Sequence, residues 1–170
     1  MGETILAYLA GVIDSDGFIT IHRLTRKGRH YFGAVIGISG TRREPHDLAV
    51  EVWGGRVSSY TPANPRHRIQ HQWTRTGFGA MPAIYDVLPY LRVKQQQAVL
   101  ALECQELLLS RGTTDDPYPW ALPDFDPLPR LEELRRQMVL ELNQGRHIAP
   151  DRDFREEEGR SVPTEPTAQR

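Results

Sequence analysis

The sequence predicts an α+β domain with an antiparallel sheet, on three observations. Apolar spacing alternates between a helical period and a strand period of two, in the order αββαββα with further helices behind it. Each pair of strand-like stretches is joined by a short polar turn, "RKGRH" and then "TPANP", as antiparallel hairpins are. The 170 residues suffice for one domain of ordinary size with a real core.

A first helix is expected over Glu3–Ile13, with Ile5, Leu6, Leu9, Val12 and Ile13 as its apolar side. Ala7, Ala10, Gly11 and Asp14 share the spacing i, i+3, i+4, i+7. That second stripe is small and offers a flat surface on which another helix backbone can approach closely. Phe18–Arg26 then alternates, with Ile19, Ile21 and Arg23 on one side and Phe18, Thr20, His22, Leu24 and Arg26 on the other. Tyr31–Ser39 is the second strand, where Phe32, Ala34, Ile36 and Ile38 share a face. The next helix opens at "TRRE", a capping-box spacing, or at Pro45 in its first turn, and closes at Gly54-Gly55. Arg56–Thr61 and Arg66–Thr74 form the second hairpin. In its second arm Ile69, His71 and Trp73 alternate with Arg68, Gln70 and Gln72. A short helix spans Ala83–Leu88. A long one, Val93–Ser110, turns Leu100, Cys104, Leu107 and Leu108 inward and stops at Gly112. A proline-rich connector leads to Leu128–Asn143, with Leu131, Leu134, Met138 and Leu142 inside. The domain is expected to cover 1–149, and the acidic stretch 150–170, nearly without apolar residues, reads as a disordered tail.

With no apolar run of membrane length and no charged-then-apolar leader, the chain is expected to be soluble, unexported and free of membrane contacts. Arginine outnumbers lysine nineteen to two, which hints at a GC-rich genome and a bacterial or phage cytoplasm, with an organelle as the alternative. The single cysteine, Cys104, excludes an internal disulfide and an all-cysteine metal site, and reads as a buried inert thiol. The net charge of −1 conceals segregation: ten basic residues face three acids between Gly17 and Arg75, whereas thirteen acids face eight arginines from Gly112 onward. A basic segment of strand-like sequence is an electrostatic footprint for a polyanion.

Asp14 and Asp16 stand where a helix tolerates carboxylates least, at the end that already carries about half a negative charge. "DSDG" suits a helix C-cap followed by a tight reversal. A calcium loop fails, because its first and last ligand positions would fall on Val12 and Arg23. An open divalent-metal site is the third reading, in which a cation neutralises crowded acids.

The stretch "YLAGVIDSDG", Tyr8–Gly17, resembles the signature of the LAGLIDADG homing endonucleases and maturases. "ISGTRREPHDLAVEVWGGRV", "LPYLRVKQQQAVLALE" and "LNQGR" resemble that family's second strand with middle helix, its basic active-site segment and the end of its last helix. The resemblance implies the family's αββαββα half-domain with a saddle-like antiparallel sheet, here with extra C-terminal helices. It implies Asp16 as catalytic metal ligand, with the Ser15 carbonyl as a second oxygen, for Mg²⁺ or Mn²⁺. Asp14 is expected to cap the partner helix or the start of the sheet. The stripe Ala7, Ala10, Gly11 is expected to let two motif helices pack. Only one motif is present, so a C2 homodimer is implied. Lys94 is expected to approach the active site and hold the attacking water or offset developing charge. The family's second strand ends in a glutamine, and Gly40 stands there instead.

The implied activity is a double-strand break in a long, nearly palindromic DNA target, the mobility step of an intron or intein. The alternative is a maturase acting on intron RNA, or a non-cleaving DNA-binding protein. In the family the sheet enters the major groove. Base contacts are then expected from Thr20, His22, Arg26, Ser58, Tyr60, Arg66, Arg68, Gln70 and Gln72, and phosphate contacts from Arg23, Lys27, Arg29 and Arg146.

Overall fold

The computed structural model describes residues 2–64, 66–111 and 127–143. Among them the elements are α1 (Glu3–Asp16), β1 (Gly17–Arg26), β2 (Arg29–Gly40), α2 (Glu44–Trp53), β3 (Val57–Tyr60), β4 (Gln70–Thr76), α3 (Met81–Val87), α4 (Gln95–Arg111) and α5 (Leu128–Leu142), with short 3-10 turns on either side of α3. The four strands form one antiparallel sheet in the order β1-β2-β4-β3. No helix among the described residues is long and apolar enough to cross a membrane.

Register separates the two faces. Ile19, Ile21, Phe32, Ala34, Ile36, Ile38 and Trp73 lie on one face and are buried. Leu9, Ala10 and Ile13 of α1, Ala83, Ile84 and Val87 of α3, Leu100 and Cys104 of α4, and Leu131, Leu134 and Met138 of α5 complete that core. Burial pushes the Cys104 thiol up to about 12, so it is inert at neutral pH. The turn from β1 to β2 has two residues, Lys27 at φ 50° and Gly28 at φ 74°, as a type I′ hairpin requires. β4 ends opposite Val35, which leaves the Ala34 N–H facing an open edge. The buried Gln105 of α4 closes it, its Oε1 accepting that N–H at 2.8 Å.

No loop separates α1 from β1. A Cβ on Gly17 would lie 2.7 Å from both the Gly37 carbonyl oxygen and Ile13 Cα, backbone atoms that cannot move aside. Gly17→Ala is therefore expected to destabilise the fold by about 2 kcal/mol or more, read as a lower denaturant midpoint. An unchanged midpoint would mean that the helix–strand junction relaxes freely.

The structure corrects several boundaries. α1 runs to Asp16, because the Gly17 N–H closes its last turn on Val12 and Ile13. α2 uses Pro45 in its first turn and forms no side-chain cap, so "TRRE" is not a capping box. β4 begins only at Gln70. Before it the Asn64 side chain accepts the Arg66 N–H at 3.0 Å, an Asx turn. Ile69 is consequently 49% exposed rather than inward. The connector at 112–126 and the tail at 150–170 lie outside the described residues.

Candidate functional site

Two residues apart on a helix, Asp14 and Asp16 point to nearly opposite sides. Asp14 turns toward α4 of its own chain. Its Oδ2 accepts the Arg92 and Val93 N–H groups at 2.6 and 3.2 Å, and its Oδ1 accepts the Lys94 N–H at 2.9 Å. One carboxylate thus satisfies three backbone donors where the chain enters α4, at the helix end that favours a negative charge. In return the Lys94 ammonium donates to the Asp14 carbonyl oxygen and places a positive charge at the C-terminus of α1. Each charge sits on the helix end that suits it, and the oddity of an acidic C-terminus disappears for Asp14. The expectation that Asp14 caps the start of the sheet is corrected accordingly: within its own chain the carboxylate caps the entry to α4.

Asp16 is exposed, and among the described residues its carboxylate has no hydrogen bond or ion pair. Lys94 lies close enough for both Asp16 and Asp14 to favour its charged form. Its own partial burial outweighs them and moves its pKa below the usual lysine range. The structure therefore places Lys94 within electrostatic reach of Asp16. The Ser15 hydroxyl donates to the Val12 carbonyl at 3.2 Å, so the oxygen this residue could offer a cation is its carbonyl. These hard oxygen donors fit Mg²⁺ or Mn²⁺ in type, but two oxygens fall short of the roughly six such an ion takes. Among the described residues no three His, Cys, Asp or Glu side chains stand close enough to hold a metal.

On α1 the exposed stripe is Thr4, Ala7, Tyr8, Gly11 and Ser15. Ala7 and Gly11 belong to it, and nothing lies within 4 Å of a Cβ built on Gly11. Ala10 does not: it is fully buried beside Leu9 and Ile13, because the 100° step per residue turns it to the core.

The sheet face opposite the core is open. Across it run the rows Phe18–Gly37–Thr74, Thr20–Val35–Thr76 and His22–Gly33, then Leu24–Tyr31 and Arg26–Arg29 toward the hairpin tip. In the other direction come Ser39–Gln72–Ser58 and Gln70–Tyr60. Thr20, His22, Arg26, Ser58, Tyr60, Gln70 and Gln72 thus share one face, with Lys27 and Arg29 exposed at its tip. Arg66 and Arg68 precede β4 in an exposed loop and are not part of a strand row. Arg146 lies outside the described residues. Arg23 is on the helix-covered side and donates to Glu132 of α5 at 3.3 Å, so it is not a groove residue.

Sequence reasoning missed Arg135. It is half-buried on α5, donates to the Ile21 carbonyl at 2.7 Å, and its own charge is penalised by that burial. Burial first, and the Arg135 guanidinium second, push the His22 pKa below the usual histidine range. The signal was an arginine in the apolar stripe, four residues from Leu131 and three from Met138. Gly40 ends β2 next to the buried His46 and supplies no side chain where the resemblance expects glutamine.

No protein-family model matches the sequence, and no curated protein matches it either. Solved structures do. The archaeal intron-encoded homing endonuclease I-Vdi141I complexed with DNA shares 16% identity over 82% of this chain and 84% of that one, with a TM-score of 0.62. The homing endonuclease I-CvuI with its target in 2 mM Ca shares 19% identity over 82% of each chain, with a TM-score of 0.59. The same enzyme with a DNA target left uncleaved in 2 mM Mg gives 19% identity and a TM-score of 0.58 over 82% and 83%. Their sheet and helix arrangement is that of this chain, which has the LAGLIDADG homing endonuclease fold.

Proposed function

We propose that the chain is a metal-dependent DNA endonuclease that acts as a homodimer on a long, near-palindromic duplex. The observation that carries the reading is the free Asp16 carboxylate beside Lys94, where α1 feeds directly into an open, polar sheet face. DNA-bound neighbours of the same fold support it.

Asp16 and the Ser15 carbonyl would hold Mg²⁺ or Mn²⁺, which when bound lowers the pKa of water and polarises the phosphoryl oxygens. Lys94, kept in place by Asp14, points its ammonium to this end of α1 and offsets charge developing on the phosphate. The open face binds and orients the duplex, with Arg26, Lys27 and Arg29 placed for its phosphates. A second subunit supplies a second Asp16, and the exposed Ala7 and Gly11 allow the close helix approach that this needs. Gly11→Leu is accordingly expected to leave the fold intact and abolish the dimer. Sedimentation that finds an unchanged dimer would place the interface elsewhere.

A non-cleaving DNA-binding protein is the second reading, favoured by the bare Gly40. One experiment separates them. Duplexes selected by the purified chain from a randomised library are incubated with it in Mg²⁺ and in EDTA. Mg²⁺-dependent breaks on both strands support the endonuclease. Selection without cleavage supports the binding protein, and preferential retention of structured RNA supports a maturase.

A further inference from the structure

The open face is not uniform along its length. Its middle rows are Phe18–Gly37–Thr74 and Thr20–Val35–Thr76, and the register Gly17↔Ile38 carries Asp16 to the level of the row before them, Ser39–Gln72–Ser58. Neither row contains a charged or amide side chain. Those stand outside: Gln70 and Gln72 on one flank, His22 and then Arg26 and Arg29 on the other. The arrangement is built rather than incidental. A Cβ on Gly37 would lie 2.6 Å from Phe18 Cζ and 2.8 Å from Phe18 Cε1, so the ring rests on bare β2 backbone and stays on the open face. Val35, at 7% exposed, is packed between Thr20 and Thr76 and fixes the second row.

The readers of guanine and adenine are arginine, lysine, asparagine and glutamine, which pair with two base atoms at once, and none is present in these rows. Phenylalanine and threonine methyls match the one apolar feature of the major groove, the thymine C5-methyl. We propose that the base pairs facing these two rows are read through thymine methyls by Phe18, Thr20, Thr74 and Thr76. The flanking Gln70 and Gln72 then read their own pairs by hydrogen bonding, while Arg26 and Arg29 hold phosphates. The inference rests on the DNA-binding reading above and specifies what this part of its site prefers.

The full chain is used to select duplexes from a randomised library, and the winning duplex is resynthesised with deoxyuridine replacing one thymine at a time. Deoxyuridine keeps every hydrogen-bonding group and removes only the methyl. Thymines are expected as one short block in each half of the selected site. Each replacement there should weaken binding about fourfold, the worth of one methyl-sized apolar group buried. Thr20→Ser deletes only the protein methyl, so it spares the Phe18–Gly37 packing. It should erase the deoxyuridine penalty at the base pairs facing Thr20 and leave the other penalties in place. A sharp consensus with no such thymine block, or deoxyuridine in the block bound as well as thymine, overturns the inference while DNA reading stands. Failure to enrich any consensus overturns the DNA reading, and the inference with it.

Discussion

Asp16→Asn is expected to reduce cleavage by at least about a thousandfold, or about 4 kcal/mol of barrier, because a neutral amide is a far poorer ligand for a hard divalent cation. The side chain is exposed and makes no hydrogen bond or ion pair among the described residues, so the loss does not pass through stability. Affinity for duplex should be unchanged or higher, since the change removes a negative charge that faces phosphates. Strand-cleavage rates in Mg²⁺, with binding measured separately in EDTA, check both halves. A variant that cuts at the wild-type rate removes Asp16 from the catalytic role.

Asp14→Ala should act on the same chemistry by another route. It leaves three N–H groups at the start of α4 without their carboxylate, those of Arg92, Val93 and Lys94. Losing a charged cap of this kind costs about 2 kcal/mol, and for a chain of this size the melting temperature should fall by about 4–8 °C. Asp14→Asn keeps one acceptor oxygen and should fall between the two. Because Lys94 both receives this cap and returns a hydrogen bond to the Asp14 carbonyl, the ammonium loses its register near Asp16. A drop in kcat with duplex affinity preserved identifies Asp14 as a positioning residue. A stability loss with no change in kcat makes it purely structural.

Much of the candidate site is legible along the chain because short-range periodicity sets it. Alternation assigns Thr20 and His22 to the face opposite Ile19 and Ile21, and β-pairing register leaves no freedom to reverse it once one face is buried. The same reasoning fails at Arg68. Strand alternation extends only as far as the ladder, and Asn64 organises a turn that delays β4 to Gln70. It fails at Ala10 too, since a small residue fits a helix contact and a core equally well, and only the packing of Leu9 and Ile13 decides which.

The sequence by itself determined the αββαββα order, the split of the sheet into apolar and polar faces, and the place of Asp16 at a helix end. Each depends on neighbours within one or two helical turns or along one strand. Tertiary structure alone decided that Asp14 serves α4, 78 to 80 residues away, and that Arg23 is spent on Glu132, 109 residues away. It likewise set Arg135 against the backbone of Ile21, 114 residues away, beside His22. Such partners are chosen by how helices dock on a sheet, and a charged side chain carries no mark in sequence of which distant backbone or carboxylate will lie within its reach.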